Sequence, residues 1–160
     1  MIKHPFPPLF DGNSKILILG SFPSVKSREQ KFFYGHPQNR FWRVISQVTG
    51  SKMPSTIEEK RGLLLSNGIA LWDVIASCEI TGSADSTIKN VVTNDLSEIF
   101  KKADIKQIFV NGKTAEKYFN KYTKNVINKT AICLPSTSPA NAAWSVERLT
   151  QAWGVITEYL

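Results

Sequence analysis

Cysteine and histidine are scarce in this chain. Its 160 residues hold only Cys78, Cys133, His4 and His36. The cysteines form no CxxC pair, so they neither hold an iron–sulfur cluster unaided nor build a zinc site. They read as buried free thiols. Two histidines leave little for a metal centre, and no metal or other cofactor is expected. No apolar run approaches the roughly 20 residues that span a membrane. Met1-Ile2-Lys3-His4-Pro5 lacks the apolar stretch of a signal peptide, so a cytoplasmic location is the expectation. Several catalytic signatures are missing as well. Gly112-Lys113-Thr114 has the tail of a phosphate-binding loop, but Gln107 stands where that motif needs its first glycine. No GxGxxG follows the first strand, and no GxSxG marks a nucleophile elbow. No carboxylate pair stands out for general acid–base work. Asp73 and Asp85 remain as candidates for single roles.

What is present is an ordinary globular composition, 42% hydrophobic and 21% charged, with a net charge of +7. Residues 1–160 read as one domain. The charge is unevenly placed. Residues 1–50 carry seven basic and two acidic side chains, and residues 101–130 carry eight lysines against Asp104 and Glu116. The stretch between them is net acidic. Two basic blocks suit a polyanion such as DNA. A solvated, lysine-rich helix carrying Lys113, Lys117, Lys121 and Lys124 fits the same pattern.

Four short, continuous apolar runs predict strands covered on both faces. They are Ile16–Leu19, Ile69–Trp72, Gln107–Val110 and Thr130–Leu134. Helical spacing separates them. Phe41, Val44, Ile45 and Val48 form one stripe, with Gly50 as its stop. Ser55-Thr56-Ile57-Glu58 predicts a capping box opening a helix toward Leu65. Asn94 is the expected cap of a helix with Leu96, Ile99 and Phe100. Gly112 to Tyr122 is a further helix. Leu149, Ala152, Trp153, Ile156 and Leu160 make the last stripe. Strands alternating with helices predict an α/β fold, a three-layer α/β/α sandwich around a mostly parallel four-stranded sheet. Ligands bind beyond the carboxyl ends of such strands. Here those ends lead into Gly20–Ser24, Asp73, Asn111-Gly112 and Pro135–Asn141. Amides, hydroxyls and aromatics dominate these loops, a set that can position water and stabilise charge.

In order along the chain, these loops resemble the motifs of the uracil-DNA glycosylase superfamily. Gly20-Ser21-Phe22-Pro23-Ser24 resembles its first motif. Pro135-Ser136-Thr137-Ser138-Pro139-Ala140-Asn141 is similar to its second, the DNA-inserting loop. Tyr34–Trp42 and Val110–Lys113 resemble segments of the mismatch-specific thymine/uracil branch. Leu71–Glu79 with Gly82–Ser86 most resembles the hypoxanthine-DNA glycosylase branch. The resemblance runs from about residue 16 to the C-terminal helix. Many members place a catalytic Asp or Asn in the first motif, where this chain has Ser21-Phe22-Pro23.

The resemblance implies a monofunctional glycosylase acting on DNA, double-stranded or single-stranded, as a monomer and without a membrane. Hypoxanthine is the implied base. The alternatives are uracil or mismatched thymine, a catalytically inactive DNA-binding relative, and a nucleotide-processing enzyme outside repair. The resemblance passes the missing catalytic role to Asn39, with its carbonyl expected to hold the attacking water. Asn39 also stands where a helix N-cap is expected. Asn111 is expected to bond the base, although Asn-Gly also suits a plain turn. His36 is a candidate donor to the departing base. Gly20, Ser21, Phe22, Pro23 and Tyr34 are expected around that base, with Phe22 or Tyr34 stacking on it. Ser136, Thr137, Ser138, Pro139, Ala140, Asn141 and Lys113 are expected to contact DNA.

Overall fold

The protein is described by a computed structural model covering residues 1–160. A short strand β1 (Ile2–Lys3) precedes β2 (Ile16–Gly20). Three helices follow, α1 (Val25–Gln30), α2 (Phe41–Thr49) and α3 (Ile57–Ser66). Then come β3 (Ile69–Asp73), β4 (Ile75–Glu79) and β5 (Lys89–Thr93), and helix α4 (Ser97–Lys102). Strand β6 (Gln107–Asn111) leads into α5 (Lys113–Tyr118), a π-helical stretch (Phe119–Thr123) and α6 (Lys124–Ile127). Strand β7 (Ala131–Leu134) and helix α7 (Val146–Trp153) complete the chain, with a 3₁₀ segment to Tyr159.

The four expected strands form one parallel sheet in the order β3-β2-β6-β7, flanked by helices. Every residue of β2 and β3 is buried, which is why their Ile/Leu runs are continuous rather than alternating. From β2 the chain crosses to β3 on one side, and β6 and β7 lie on the other. The switch point therefore falls between the carboxyl ends of β2 and β6, where a crevice opens. Helix α2 buries Phe41, Val44 and Ile45 completely and packs on α7, with the Phe41 ring edge-on to Trp153 at 5.8 Å. Gly50 ends α2 at φ +66°.

Three sequence expectations change. A second, antiparallel sheet, β1-β4-β5, is present and was not anticipated. Its strands lack a clean period, because β4 and β5 pair with shifts in register on either side of Ser77, and Asn90 sits at φ +54°. The capping box lies one residue later than expected. Thr56 caps α3 by accepting from Glu59 N–H, and Glu59 accepts from Ser55 N–H at 2.9 Å. Asn94 caps nothing. Asp95 accepts from Ser97 N–H at the start of α4, while the Asn94 amide donates to the carbonyls of Asp73 and Ile75.

Residues 1–10 run as a strap across the edge of the molecule. Leu9 pairs with Leu71 of β3, and Ile2 pairs with Cys78 of β4. His4 N–H donates to Ala76 O at 2.7 Å. The strap covers the outer edge of β3 and brings the His4 side chain to the end of that strand.

Candidate active site

A cleft of about 890 Å³ opens at the switch point, within the size range of small-ligand sites. Every position singled out from the sequence lines it: Gly20 to Pro23, Tyr34, His36, Asn39, Asn111, Lys113, and Ser136 to Asn141. Asp73, Asp85 and Trp144 line it too. No three of the chain's His, Cys, Asp and Glu side chains converge as a metal site requires.

Two glycines make the crevice possible. A Cβ on Gly20 would sit 2.4 Å from Asp73 Oδ1, so only glycine fits there. Gly112 turns at φ +93°, and a Cβ on it would come within 2.9 Å of Ser136 Cβ. The backbone at the end of β6 thus packs directly against the Ser136 side chain of the 135–141 loop.

Thr137 ties the two asparagines together. Its Oγ1 donates to Asn39 Oδ1 at 2.9 Å and accepts from Asn111 Nδ2 at 3.1 Å. Its backbone N–H donates to Asn111 Oδ1 at 3.1 Å. Thr137 is fully buried, so its expected contact with DNA is corrected: it braces the site from within. The Asn39 expectation changes as well. Its carbonyl oxygen accepts both from Thr137 and from Phe41 N–H at 2.9 Å. Both lone pairs are engaged, and the same oxygen anchors the start of α2. The amide hydrogens on Nδ2 are the part of Asn39 left to offer a ligand. Asn111 likewise keeps one amide hydrogen beyond its bond to Thr137.

Arg40 holds the 135–144 loop. Its guanidinium donates to the carbonyls of Ser138 at 2.7 Å, Asn141 at 3.0 Å and Trp144. No local pattern marks this role, because a basic residue near a basic block reads as surface charge. Within the loop, the Ser136 hydroxyl accepts from Ser138 N–H, and the Ser138 hydroxyl accepts from Ala140 N–H, both at 3.1 Å. Each oxygen takes a backbone hydrogen and keeps its own O–H to donate outward, the arrangement a phosphate needs. His36 Nδ1 accepts from Gln38 N–H, so Nε2 carries the proton and is a donor.

One face of the Tyr34 ring is already taken. It is stacked on Phe41 at 4.1 Å, in a left-handed backbone conformation at φ +51°. Its hydroxyl is buried at the cleft floor beside the Asn111 amide, and its own hydrogen finds no acceptor. Burial, with the Asp73 carboxylate nearby, pushes its pKa above the ordinary tyrosine range, and the Asn111 amide beside it partly offsets this. Phe22 remains half-buried on the wall, with Arg28 over its ring at 5.6 Å. Asp73 is buried, and its Oδ2 pairs with His4 Nε2 at 2.7 Å. Aromatic rings crowd that pair, with Trp72 4.5 Å and Phe6 4.4 Å from the imidazole. Sequence reading missed His4 entirely, since it lies outside every periodic segment. Near the cleft mouth, burial raises the pKa of the Asp85 carboxyl, and a bond with Thr114 partly offsets this.

A switch-point cleft of amides and hydroxyls, with a glycine-tight first loop and a serine-rich last loop, is the architecture of a uracil-DNA-glycosylase fold. The chain belongs to the uracil DNA glycosylase superfamily, whose family model matches residues 7–157. It is similar to a hypoxanthine DNA glycosylase of Methanosarcina acetivorans, with 37% identity over 150 residues, covering 92% of this chain and 94% of the relative. A hypoxanthine DNA glycosylase of Methanosarcina barkeri is 38% identical over 120 residues, covering 74% and 76%. The fold matches the solution NMR structure of a uracil DNA glycosylase candidate from Methanosarcina acetivorans. The TM-score is 0.82 at 35% identity, over 98% of this chain and 96% of that one. No helix is long and apolar enough to cross a membrane.

Proposed function

We propose that this protein is a monofunctional DNA glycosylase that removes hypoxanthine from DNA, opening base-excision repair. One observation carries the reading: the Asn39–Thr137–Asn111 bridge presents amide hydrogens to a cleft whose first motif lacks the usual carboxylate or amide. A base must leave the stack to reach this cleft, at a cost of a few kcal/mol. Ser136, Ser138 and Lys113 at the rim would hold phosphates and keep it out. Breaking the N-glycosidic bond leaves positive charge on the sugar and negative charge on the base. Asn39 Nδ2, Asn111 Nδ2 and His36 Nε2 are donors to the departing base, and fixed donors of this kind stabilise such charge without reorganising. Water then adds to the sugar carbon, and its proton passes to solvent. No lysine is placed as a Schiff-base nucleophile, so no lyase step follows. The protein would act as a monomer in the cytoplasm, with the nucleoid in a prokaryotic cell.

The test is a strand-nicking assay on duplexes carrying deoxyinosine, deoxyuridine or a G·T mismatch. Deoxyinosine is the expected substrate. Cleavage at deoxyuridine with none at deoxyinosine refutes the proposal. Asn39→Ala is expected to lower turnover by about 100-fold or more, the scale of losing one preorganised donor, with DNA affinity kept within a few-fold.

A further inference from the structure

Two polar atoms at the cleft floor have no role in the chemistry above. One is Asp73 Oδ1, the other the Tyr34 hydroxyl. They converge on one spot over Gly20, where a Cβ would lie 2.4 Å from the carboxylate oxygen and 3.1 Å from the phenol oxygen. The Tyr34 hydroxyl is buried with the Asn111 amide beside its oxygen, and its own hydrogen has no acceptor, a costly state for a donor unless a ligand supplies one. Asp73 Oδ2 is fixed by His4. The imidazole Nδ1 lies 3.5 Å from Phe6 N–H as acceptor, so Nε2 is the donor to Asp73. That bond sets the carboxylate rotamer and leaves Oδ1 as a pure acceptor facing the cleft. The floor therefore offers one acceptor beside one donor, built on rigid strand ends and a stacked ring.

We infer that Asp73 and Tyr34 read the N–H/C=O edge of the extruded base, and so separate deaminated adenine from adenine. The inference rests on the proposed function. Hypoxanthine presents N1–H beside the 6-oxygen. Asp73 Oδ1 accepts from N1–H, and the Tyr34 hydroxyl donates to the oxygen. Adenine presents the reverse, a bare N1 beside a 6-amino group. Its N1 lone pair faces a carboxylate, and its amino hydrogens face a hydroxyl that must turn away. A site that leaves buried polar groups unpaired rejects the wrong partner strongly. Uracil carries the same N–H/C=O edge at N3 and O4, so this pair admits it. Guanine shares the edge also and is not sorted by these two residues.

The experiment compares single-turnover excision of hypoxanthine and of unsubstituted purine (2′-deoxynebularine), each opposite thymine. Purine leaves N1 bare and has no 6-oxygen, so it makes neither of the two bonds that Asp73 and Tyr34 offer. Wild type is expected to favour hypoxanthine. Tyr34→Phe removes only the hydroxyl and keeps the ring stacked on Phe41, so the fold is safe. It is expected to lower the hypoxanthine-to-purine ratio by about tenfold, the scale of one hydrogen bond. Asp73→Asn turns an amide donor toward N1–H and is expected to lower the ratio further. Equal losses on both bases, or an unchanged ratio, in Tyr34→Phe overturn the inference. So does a wild type that removes purine as fast as hypoxanthine. A wild type inactive on deoxyinosine overturns the proposed function itself, and this reading with it.

Discussion

At the scale of single residues, the site depends on a threonine that no ligand touches. Thr137 holds Asn39 and Asn111 in one orientation, so Thr137→Ala is expected to lower excision by roughly 10- to 100-fold, from loss of buried hydrogen bonds worth about 1–3 kcal/mol. Thr137→Ser keeps the hydroxyl and is expected to restore most of it. Single-turnover kinetics on the two variants distinguish lost orientation from lost packing. Gly112→Ala tests the second close approach. A methyl group there meets Ser136 in a backbone conformation that L residues rarely adopt. Urea denaturation is expected to show a loss of about 1–3 kcal/mol.

At the scale of elements, caps and clamps set the loops. The Glu59 carboxylate accepts from the Ser55 backbone and side chain, which lowers its pKa. A carboxyl with a depressed folded pKa stabilises the protein above its unfolded value, about 4.3, and this is lost as pH falls through the folded value. Glu59→Ala is therefore expected to lower Tm at pH 7, and the gap to wild type to narrow below about pH 4. Arg40→Gln removes the clamp on the 135–144 loop and is expected to speed amide exchange there while α2 keeps its protection. Elements of this kind differ in how well the sequence displays them. The Ile16–Gly20 and Gln107–Asn111 strands are legible because burial on both faces writes an unbroken apolar run. β4 and β5 are not, because irregular pairing and half-exposure erase any period. The cleft loops are legible through their order at strand ends. The Arg40 clamp and the His4–Asp73 pair are not, since each joins residues 69 or more positions apart with no local pattern to mark them.

At the scale of the whole molecule, charge and continuity matter most. The net charge of +7, with Lys113 at the cleft rim, makes DNA binding an ion-exchange event. Affinity is expected to fall by about 100-fold between 50 and 200 mM salt, if about four phosphates are neutralised. Replacing Lys113 and Lys117 with Ala is expected to flatten that slope, as read by fluorescence anisotropy. Continuity has a different consequence, one of timing. The strap of residues 1–10 is synthesised well before its partners, which lie near residue 71 and beyond. At about 5–20 residues per second, the strap waits several seconds with nothing to pair with. Pro5, Pro7 and Pro8 hold that segment extended and deny it the N–H groups that would let it pair elsewhere. The strap therefore docks, and His4 reaches Asp73, only after the ribosome has delivered β3 and β4.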